Sequence, residues 1–504
     1  MRGRTPVIIL LIVALLATGV TSQFAFNRRN AATHRPGQLA SSDTGASSLA
    51  GMNSYALALL LGGLRGPLVM MLWSSSEAQK NEKNLEDFDT KVEWIRLLQP
   101  EFDTVHIFQI WNKAYNISVQ MASLANKYAT ILDALDYARK IDRQKPNDIN
   151  IVEAIGQIYF DKLGNSAEKD YYTQRVRTET QWRPAERTHP GDIGWRRTRL
   201  DPILDQKGNL LPELTKPRIA RPEGLPADSE WNNGAEYQYL EPYQPFPYGV
   251  SAFAIAYNFF KQAQVLQSVG KQHHIQLSSM VVDSRPALAL ESWARDEWTR
   301  AGEAELKAFD KPLPSEPLDK QMATASLPLN ATTTHLELID AALYSYQLIP
   351  RLCHDSIAEF RRHLLSYSTN FWTYMSHIDE LQAIADLTQG DHDYLAATRA
   401  SGEVRRNLIQ SAEHSYTAAA AGFRRIILKY YVDQPILDRI LPHGVTKETV
   451  EKIPADQLQT LLNRVQQILA ARPAGINPHT EDVAEYHYYI DRANLRLAQI
   501  KSVK

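Results

Sequence analysis

The residues of this chain that could do chemistry are scattered, and none of them shows a familiar catalytic spacing. The phosphate-binding patterns Gly-x-x-x-x-Gly-Lys-Ser/Thr and Gly-x-Gly-x-x-Gly do not occur, and neither does the zinc-binding pattern His-Glu-x-x-His. Glu359 and His363 share one face of a predicted helix, but without a second histidine we interpret them as an exposed pair. The sequence therefore predicts no catalytic residue, no metal site and no cofactor.

Two further candidate sites have simpler structural explanations. Asp391-His-Asp393 supplies fewer oxygen ligands than calcium needs, so we interpret it as a set of solvated turn residues. Cys353 is the single cysteine of the chain, which excludes an intrachain disulfide and a thiolate zinc site. Its sequence neighbours His354 and Asp355 do not share its helix face, so we expect a buried structural thiol.

The best candidate for a binding surface is a segment rich in arginine and tryptophan. Arginine beside tryptophan can recognise phosphates, nucleic acid or acidic partners. The arginines are Arg175, Arg177, Arg183, Arg187, Arg196, Arg197 and Arg199. A second interpretation stays open, in which these arginines pair with carboxylates of the helices that they cover. The residues that we single out for partner binding are Arg183, Trp195, Arg196 and Arg197.

Composition and charge narrow the class of protein. The chain has 504 residues, enough for two or three domains. A hydrophobic content of 44% and a charged content of 22% are ordinary for a globular protein. The formal net charge of -2 argues against bulk electrostatic binding to nucleic acid, which needs a basic face.

The most apolar segment lies near the N-terminus and predicts a membrane anchor. Counted from Pro6 to Phe26 it reaches about 20 residues, about the length that crosses a bilayer, and arginines flank both ends. A signal peptide cleaved after Ser22 is the alternative. We predict a retained single-pass anchor at residues 6–26 in the inner (cytoplasmic) membrane, with the bulk of the chain on the exported, periplasmic side.

The rest of the chain divides by composition into four regions. A flexible tether rich in Ala, Ser and Gly spans residues 27–54. A helical, repeat-like domain follows at 55–180, then a strap rich in Pro, Trp and Arg at 181–250, and a C-terminal helical domain at 251–504. The apolar stretch Tyr55–Trp73 contains Arg65, which would be costly in lipid, so we interpret it as a buried helix.

Apolar residues recur at helical spacing through both helical domains, and Pro or Gly residues end the runs. This pattern predicts an all-α fold. The apolar positions of the predicted helices span residues 92–98, 105–117, 131–141, 151–159, 251–269, 286–309, 336–387, 402–431, 455–471 and 481–500. We expect the helix that contains residues 151–159 to stop at Gly164.

One part of this run resembles the tetratricopeptide repeat, a helix-turn-helix unit of about 34 residues. Ala134 and Pro146 occupy the positions of its small residue and terminal proline, and Gly156 and Tyr159 match the next unit. The stretch Ile155–Gly164 reads like the first helix of a unit with one residue added. We therefore predict a divergent tetratricopeptide-like helix-pair solenoid, with a generic helical bundle as the open alternative.

A second resemblance rests on three blocks of sequence, Leu60–Pro67, Leu85–Phe102 and Trp111–Val119. They are similar to uncharacterised, membrane-anchored, repeat-containing proteins of planctomycete-type bacteria. The similarity covers roughly residues 55–180. It implies a helical-repeat fold and an envelope location, and it implies no activity.

Together these inferences predict a membrane-anchored helical-repeat scaffold that mediates protein–protein interaction at the bacterial cell envelope, since helix-pair solenoids usually present a concave binding surface. We expect the membrane and other proteins as partners, and no nucleic acid. Two alternatives stay open: an envelope enzyme with a site under the proline-rich strap, and a two-span membrane protein that uses Tyr55–Trp73 as well.

The sequence also allows predictions for individual side chains. Asn112 and Asn116 lie in an otherwise apolar helix, so we expect them to bond to backbone groups at helix ends. In the strap we expect Trp231 and Tyr239 to be buried because they offer large apolar areas, while the strap arginines lie nearer the surface.

Overall fold

A computed structural model of the chain describes residues 68–72, 74–75, 91, 94–95, 98, 103–145, 147–180, 207–210, 237–269, 278–309, 336–364, 370–432, 434–440, 447–470 and 480–503. These residues are almost entirely helical, which confirms the all-α prediction. The predicted anchor at 6–26, the tether at 27–54 and most of the strap lie outside the described residues. No described helix is both long and apolar enough to cross a bilayer.

The chain divides into two compact units, residues 1–144 and residues 145–504. In the first unit, helix α1 (Asp103–Trp111) continues as a π-helix (Asn112–Ile117) and a last α-helical turn (Ser118–Gln120). Helix α2 (Leu124–Gln144) follows and packs against this run. Its buried face contains Tyr128, Ile131, Leu132, Leu135, Ala138 and Ile141, which confirms the helix predicted at 131–141.

The prediction for the two asparagines of the first unit is wrong. Asn116 Nδ2 donates to Asn112 Oδ1 at 2.9 Å, so the two amides bond to each other and not to backbone at a helix end. The reason is that the helix continues through both residues. Asn112 is fully buried, and its Nδ2 finds no hydrogen-bond partner among the described residues.

The second unit begins with helix α3 (Ile149–Gln157), whose start is fixed by a capping side chain. Asp148 accepts hydrogen bonds from the backbone N–H groups of Asn150 at 2.9 Å and Ile151 at 3.3 Å. Helix α3 continues as a π-helix (Ile158–Gly164) and stops at Gly164, as predicted.

The remaining elements of the second unit are also helical. They are α4 (Lys169–Thr180), a 3-10 helix (Gln238–Tyr243), α5 (Ala252–Ser268), α6 (Ser279–Ala308), α7 (Leu336–His363), α8 (Phe371–Arg399), α9 (Gly402–Tyr430), α10 (Gln434–Ile440), a second 3-10 helix (Lys447–Lys452), α11 (Ala455–Ala470) and α12 (Thr480–Val503). The helices predicted at 251–269, 402–431, 455–471 and 481–500 are confirmed with boundaries displaced by a few residues.

Two predicted boundaries are wrong. Helix α6 begins at Ser279, so Pro286 lies inside it and does not start it. The predicted single helix at 336–387 is divided in the structure, where α7 ends at His363 and α8 begins at Phe371. The sequence between these helices is rich in Ser, Thr and Asn, which compete with helical hydrogen bonds through their side chains.

Four helix pairs of the second unit pack in antiparallel fashion. Helix α3 and its π-helical continuation approach α5 so closely that a Cβ atom at Gly156 would lie 2.6 Å from the Phe260 ring and one at Gly164 2.5 Å from the Phe253 ring. The same order reversal appears in three further pairs. The contacts that show it are Gln267–Asp283 and Ser251–Asp296 for α5/α6, Ser356–Ala287 and Ser345–Glu297 for α6/α7, and Tyr430–Asp379 and Ser411–Asp393 for α8/α9.

The described part of the strap is ordered against α5 and α6. Phe246 N–H donates to the Gly208 carbonyl at 2.5 Å, and Tyr243 meets Trp293 edge-on at 5.1 Å between ring centroids. Tyr239 is 7% exposed, which confirms the prediction of its burial. Trp231 lies outside the described residues.

Candidate functional site

Helix α6 carries a line of charged residues that join it to neighbouring helices. Near its N-terminus Arg285 Nη1 lies 2.6 Å from Glu153 Oε2 of α3. In its middle, Arg177 of α4 lies 2.5 Å from Asp296 and 2.8 Å from Glu297. Burial opposes the ionisation of Glu297, but the guanidinium groups of Arg177 and Arg300 outweigh it and lower the pKa of Glu297 to about 2. The pair of Arg177 and Glu297 therefore stays charged at neutral pH.

The most deeply buried charges form a cluster of two carboxylates and two guanidinium groups. Arg496 of α12 lies 2.6 Å from Glu305 of α6, and Arg492 lies 2.5 Å from Asp391 of α8. Tyr416 of α9 donates its hydroxyl to Asp391 at 2.9 Å. All four charged groups are at most 3% exposed. We call Glu305, Asp391, Arg492 and Arg496 the α12 cluster; its ion pairs hold helix α12 to α6 and α8.

The interpretation of Asp391-His-Asp393 as a solvated turn is wrong. The triplet lies inside α8, and Asp391 is 2% exposed. Gly390 does not break the helix; it makes room for a neighbour, because a Cβ atom there would lie 2.8 Å from the ring of Tyr416. The glycine therefore serves close helix packing.

The interpretation of Glu359 and His363 as an exposed pair is wrong as well. Glu359 is 5% exposed and accepts a hydrogen bond from Lys261 Nζ at 2.7 Å. His363 Nε2 lies 3.2 Å from the amide nitrogen of Gln264. Both residues of the predicted pair therefore face α5, which the sequence of α7 alone could not show.

Cys353 is fully buried, which confirms the prediction of a structural thiol. Burial raises the pKa of the thiol well above its usual range, so it carries no nucleophilic thiolate. Among the described residues no group of His, Cys, Asp or Glu side chains has the arrangement of a metal site.

Among the described residues, a groove between α9, α11 and α12 is a candidate ligand site. Its volume is about 640 Å³. The lining residues are Arg424, Gln459, Leu462, Gln466, His487, Ile490, Asp491 and Asn494. The apolar residues Leu462 and Ile490 are only 2% and 3% exposed, so the groove presents mainly the hydrogen-bonding groups of its other side chains. We call this site the α9/α11/α12 groove.

A chain of side-chain amides fixes the guanidinium of Arg424 in this groove. Arg424 Nε donates to Gln459 Oε1 at 2.7 Å, and its Nη2 lies 3.4 Å from Asn494 Oδ1. Gln459 in turn donates through Nε2 to Asn463 Oδ1 at 3.0 Å. The amide oxygens of Gln459 and Asn494 thus accept from Arg424, and the amide oxygen of Asn463 accepts from Gln459. These bonds give the guanidinium a defined orientation.

The second wall of the groove comes from one face of α12. His487, Ile490, Asp491 and Asn494 recur at the spacing of one helix face. The opposite face carries the two arginines of the α12 cluster. Gln466 Nε2 of α11 lies 3.4 Å from His487 Nε2 across the groove. The groove therefore exists only while α12 is docked.

The four residues that the sequence singles out for partner binding, Arg183, Trp195, Arg196 and Arg197, lie outside the described residues. Two arginines next to them are described. Arg175 lies 2.7 Å from Glu179, and Arg177 pairs with Asp296 and Glu297. For these two arginines the second interpretation of the sequence, in which they pair with carboxylates, is therefore the one that the structure supports.

The groove itself was not predicted, because its polar residues have the spacing of an ordinary solvated helix face. The available signal was the row of amides Gln459, Asn463 and Gln466 on the strongly amphipathic α11. Comparison of the chain with protein-family models, with curated proteins and with solved structures finds no match.

Proposed function

We propose that this chain is a membrane-anchored helical-repeat scaffold of the bacterial envelope, and that it binds an extended segment of a partner protein in the α9/α11/α12 groove. The observation that carries the proposal is the convergence of several side-chain amides in one concave site. A carboxamide both donates and accepts hydrogen bonds, as the backbone of an extended segment does.

The size and position of the groove suit this role. A volume of about 640 Å³ falls within the range of about 300–1,000 Å³ that is typical of ligand sites. Antiparallel helix pairs are the building units of solenoids, whose concave surfaces commonly bind other proteins. The tetratricopeptide-like spacing of Ala134, Gly156 and Tyr159, all of them helical, supports the same architecture.

The location in the envelope rests on the N-terminal sequence. The apolar residues 6–26 would hold the chain at the inner membrane, and the tether at 27–54 would give the helical units reach on the periplasmic side. Membership of the family of membrane-anchored, repeat-containing proteins of planctomycete-type bacteria belongs to the same proposal, on the sequence blocks between residues 55 and 180.

An enzymatic function would need carboxylates or histidines that are open to a substrate. Asp391 and Glu305 converge as such a site would require, but each lies against an arginine and is fully buried. We therefore assign the α12 cluster to the stability of the helix packing, and the scaffold proposal stands as the better supported function.

The proposal is tested by co-isolation of partners from native membranes. The full chain with Gln459→Ala and Asn494→Ala should retain less than half of a partner that co-isolates with the wild-type chain. The matched control carries Gln410→Ala and Gln467→Ala, two exposed glutamines that do not line the groove. Equal recovery with both double variants would refute the groove as the binding site.

A further inference from the structure

We propose that the α9/α11/α12 groove selects a partner segment that presents an acidic side chain, whose carboxylate binds the guanidinium of Arg424. This inference rests on the proposed function and adds the chemistry of the partner. It follows from the charge balance of the groove, from the orientation of Arg424 and from the neighbouring Asp491.

The positive charge of Arg424 is incompletely neutralised. Its hydrogen bonds go to the amide oxygens of Gln459 and Asn494, and no carboxylate among the described residues forms an ion pair with it. Burial disfavours the charged form and lowers the pKa of Arg424, and Asp491 offsets this only in part. A bound carboxylate would supply a direct counter-charge to the guanidinium of Arg424.

The positive charges of other arginines in the same unit are neutralised by direct ion pairs with carboxylates. Arg492 and Arg496 on the other face of α12 lie 2.5 and 2.6 Å from carboxylate oxygens. Arg295 of α6 lies 2.5 Å from Glu380. Arg424 differs from these three arginines in two ways. Its hydrogen-bond acceptors are amide oxygens and not carboxylate oxygens, and its side chain faces a groove.

The orientation of Arg424 favours a planar, two-oxygen ligand. A guanidinium carries five N–H donors, and the bonds to Gln459 and Asn494 use one on Nε and one on Nη2. Three donors remain, and donors of a guanidinium fork suit the two oxygens of a carboxylate. Because Gln459 and Asn494 hold the fork, little conformational entropy is lost when the ligand binds.

The charge of Asp491 decides between a carboxylate and a phosphate. Both ligands could accept hydrogen bonds from one guanidinium, but a phosphate monoester carries nearly two negative charges at neutral pH. Asp491 lines the same groove and would repel the second charge. Asp491 repels a singly charged carboxylate less than a phosphate, so the groove favours Asp or Glu of a partner segment over a phosphate monoester.

The test uses the full chain in detergent micelles and a phage-displayed library of random dodecapeptides. Selection on the wild-type chain should enrich peptides with one recurrent Asp or Glu. A selected peptide should bind about tenfold tighter than its Gln or Asn analogue, as expected for a charge-assisted hydrogen bond. Arg424→Gln should reduce this preference to less than twofold, and Arg424→Lys should retain part of it.

The matched control is Arg464→Gln, which removes one exposed arginine of α11 that does not line the groove. It should leave the preference for the acidic peptide unchanged. Helical circular dichroism of each variant establishes that the fold is kept.

Three results would overturn the inference, and they separate it from the proposed function. The first is the selection of peptides that lack an acidic residue and no longer bind when Gln459→Ala and Asn494→Ala are introduced. This result would keep the groove as a binding site but refute its preference for an acidic side chain. Tighter binding of a phosphoserine analogue than of the Glu peptide would assign the site to phosphate. Failure to select any groove-dependent peptide would contradict the proposed function and this inference together.

Discussion

At the scale of single residues, the second unit depends on charges that are buried in pairs. Removing one partner from such a pair leaves an uncompensated charge in a poorly solvated place, which costs more than the pair contributes. Most of these pairs join residues far apart in sequence, such as Glu153 with Arg285 and Asp391 with Arg492. Their titration gives the first prediction.

Burial raises the pKa of Glu153 to about 7, against the opposing effect of Arg285. The folded state therefore holds a proton between about pH 4.5 and 7 that the unfolded state has lost, so the free energy of unfolding should fall as the pH rises through this range. Glu153→Gln should remove on the order of 2 kcal/mol of this decrease between about pH 5 and pH 8.

Urea denaturation of the wild-type chain and of Glu153→Gln at both pH values measures this effect. Asp133→Asn, a substitution of an exposed acid on α2, serves as the control and should leave the pH dependence as it is. An identical pH dependence of wild type and Glu153→Gln would show that Glu153 titrates normally.

The sequence predicted some residues well and others poorly for a clear reason. The burial of Cys353 and Tyr239 follows from residue type and local pattern, and it is confirmed. The burial of Asp391 and Glu359 was not predicted, because their counter-charges Arg492 and Lys261 lie about a hundred residues away. A local pattern cannot distinguish a solvated carboxylate from one that is paired across helices.

At the scale of elements, the periodicity of apolar residues located most helices of the described chain. The errors lie at Pro286, where the helix continues through a proline, and between α7 and α8, where Ser, Thr and Asn side chains compete with helical hydrogen bonds. The groove was missed because it needs α9, α11 and α12 together, and their proximity is not a local property.

Helix α12 has two faces with different tasks, which gives the second prediction. Arg492→Met should lower the free energy of unfolding by about 3–5 kcal/mol, because it leaves Asp391 buried without its partner. The double variant Arg492→Met with Asp391→Asn should recover part of this loss, since it removes both charges. Chemical denaturation measures both.

Hydrogen exchange localises the effect of Arg492→Met. Amides of residues 480–503 should exchange faster in the single variant than in the wild-type chain, because α12 loses a contact to α8. Arg464→Met removes an exposed arginine and should change neither the free energy of unfolding nor the amide exchange of α12 noticeably. Unchanged protection of α12 in Arg492→Met would show that the α12 cluster does not hold the helix in place.

At the scale of the whole molecule, the proposal joins an N-terminal anchor to helical units that bind a partner. Deleting residues 1–26 should release a chain that leaves the membrane fraction and keeps its helical circular dichroism, because those residues form the most apolar segment. Fractionation of membranes and soluble protein measures this. A truncated chain that stays in the membrane pellet would mean that Tyr55–Trp73 also spans the bilayer.

The central claim is that a partner segment lies in the α9/α11/α12 groove, and site-specific photocrosslinking in native membranes tests it most directly. A benzoylphenylalanine replaces Gln466, which lines the groove, or its exposed neighbour Gln467, which does not. We predict a discrete crosslinked product from position 466 that is absent from position 467 and is lost when Gln459→Ala and Asn494→Ala are added. Equal crosslinking from both positions, or none from position 466, would contradict the account.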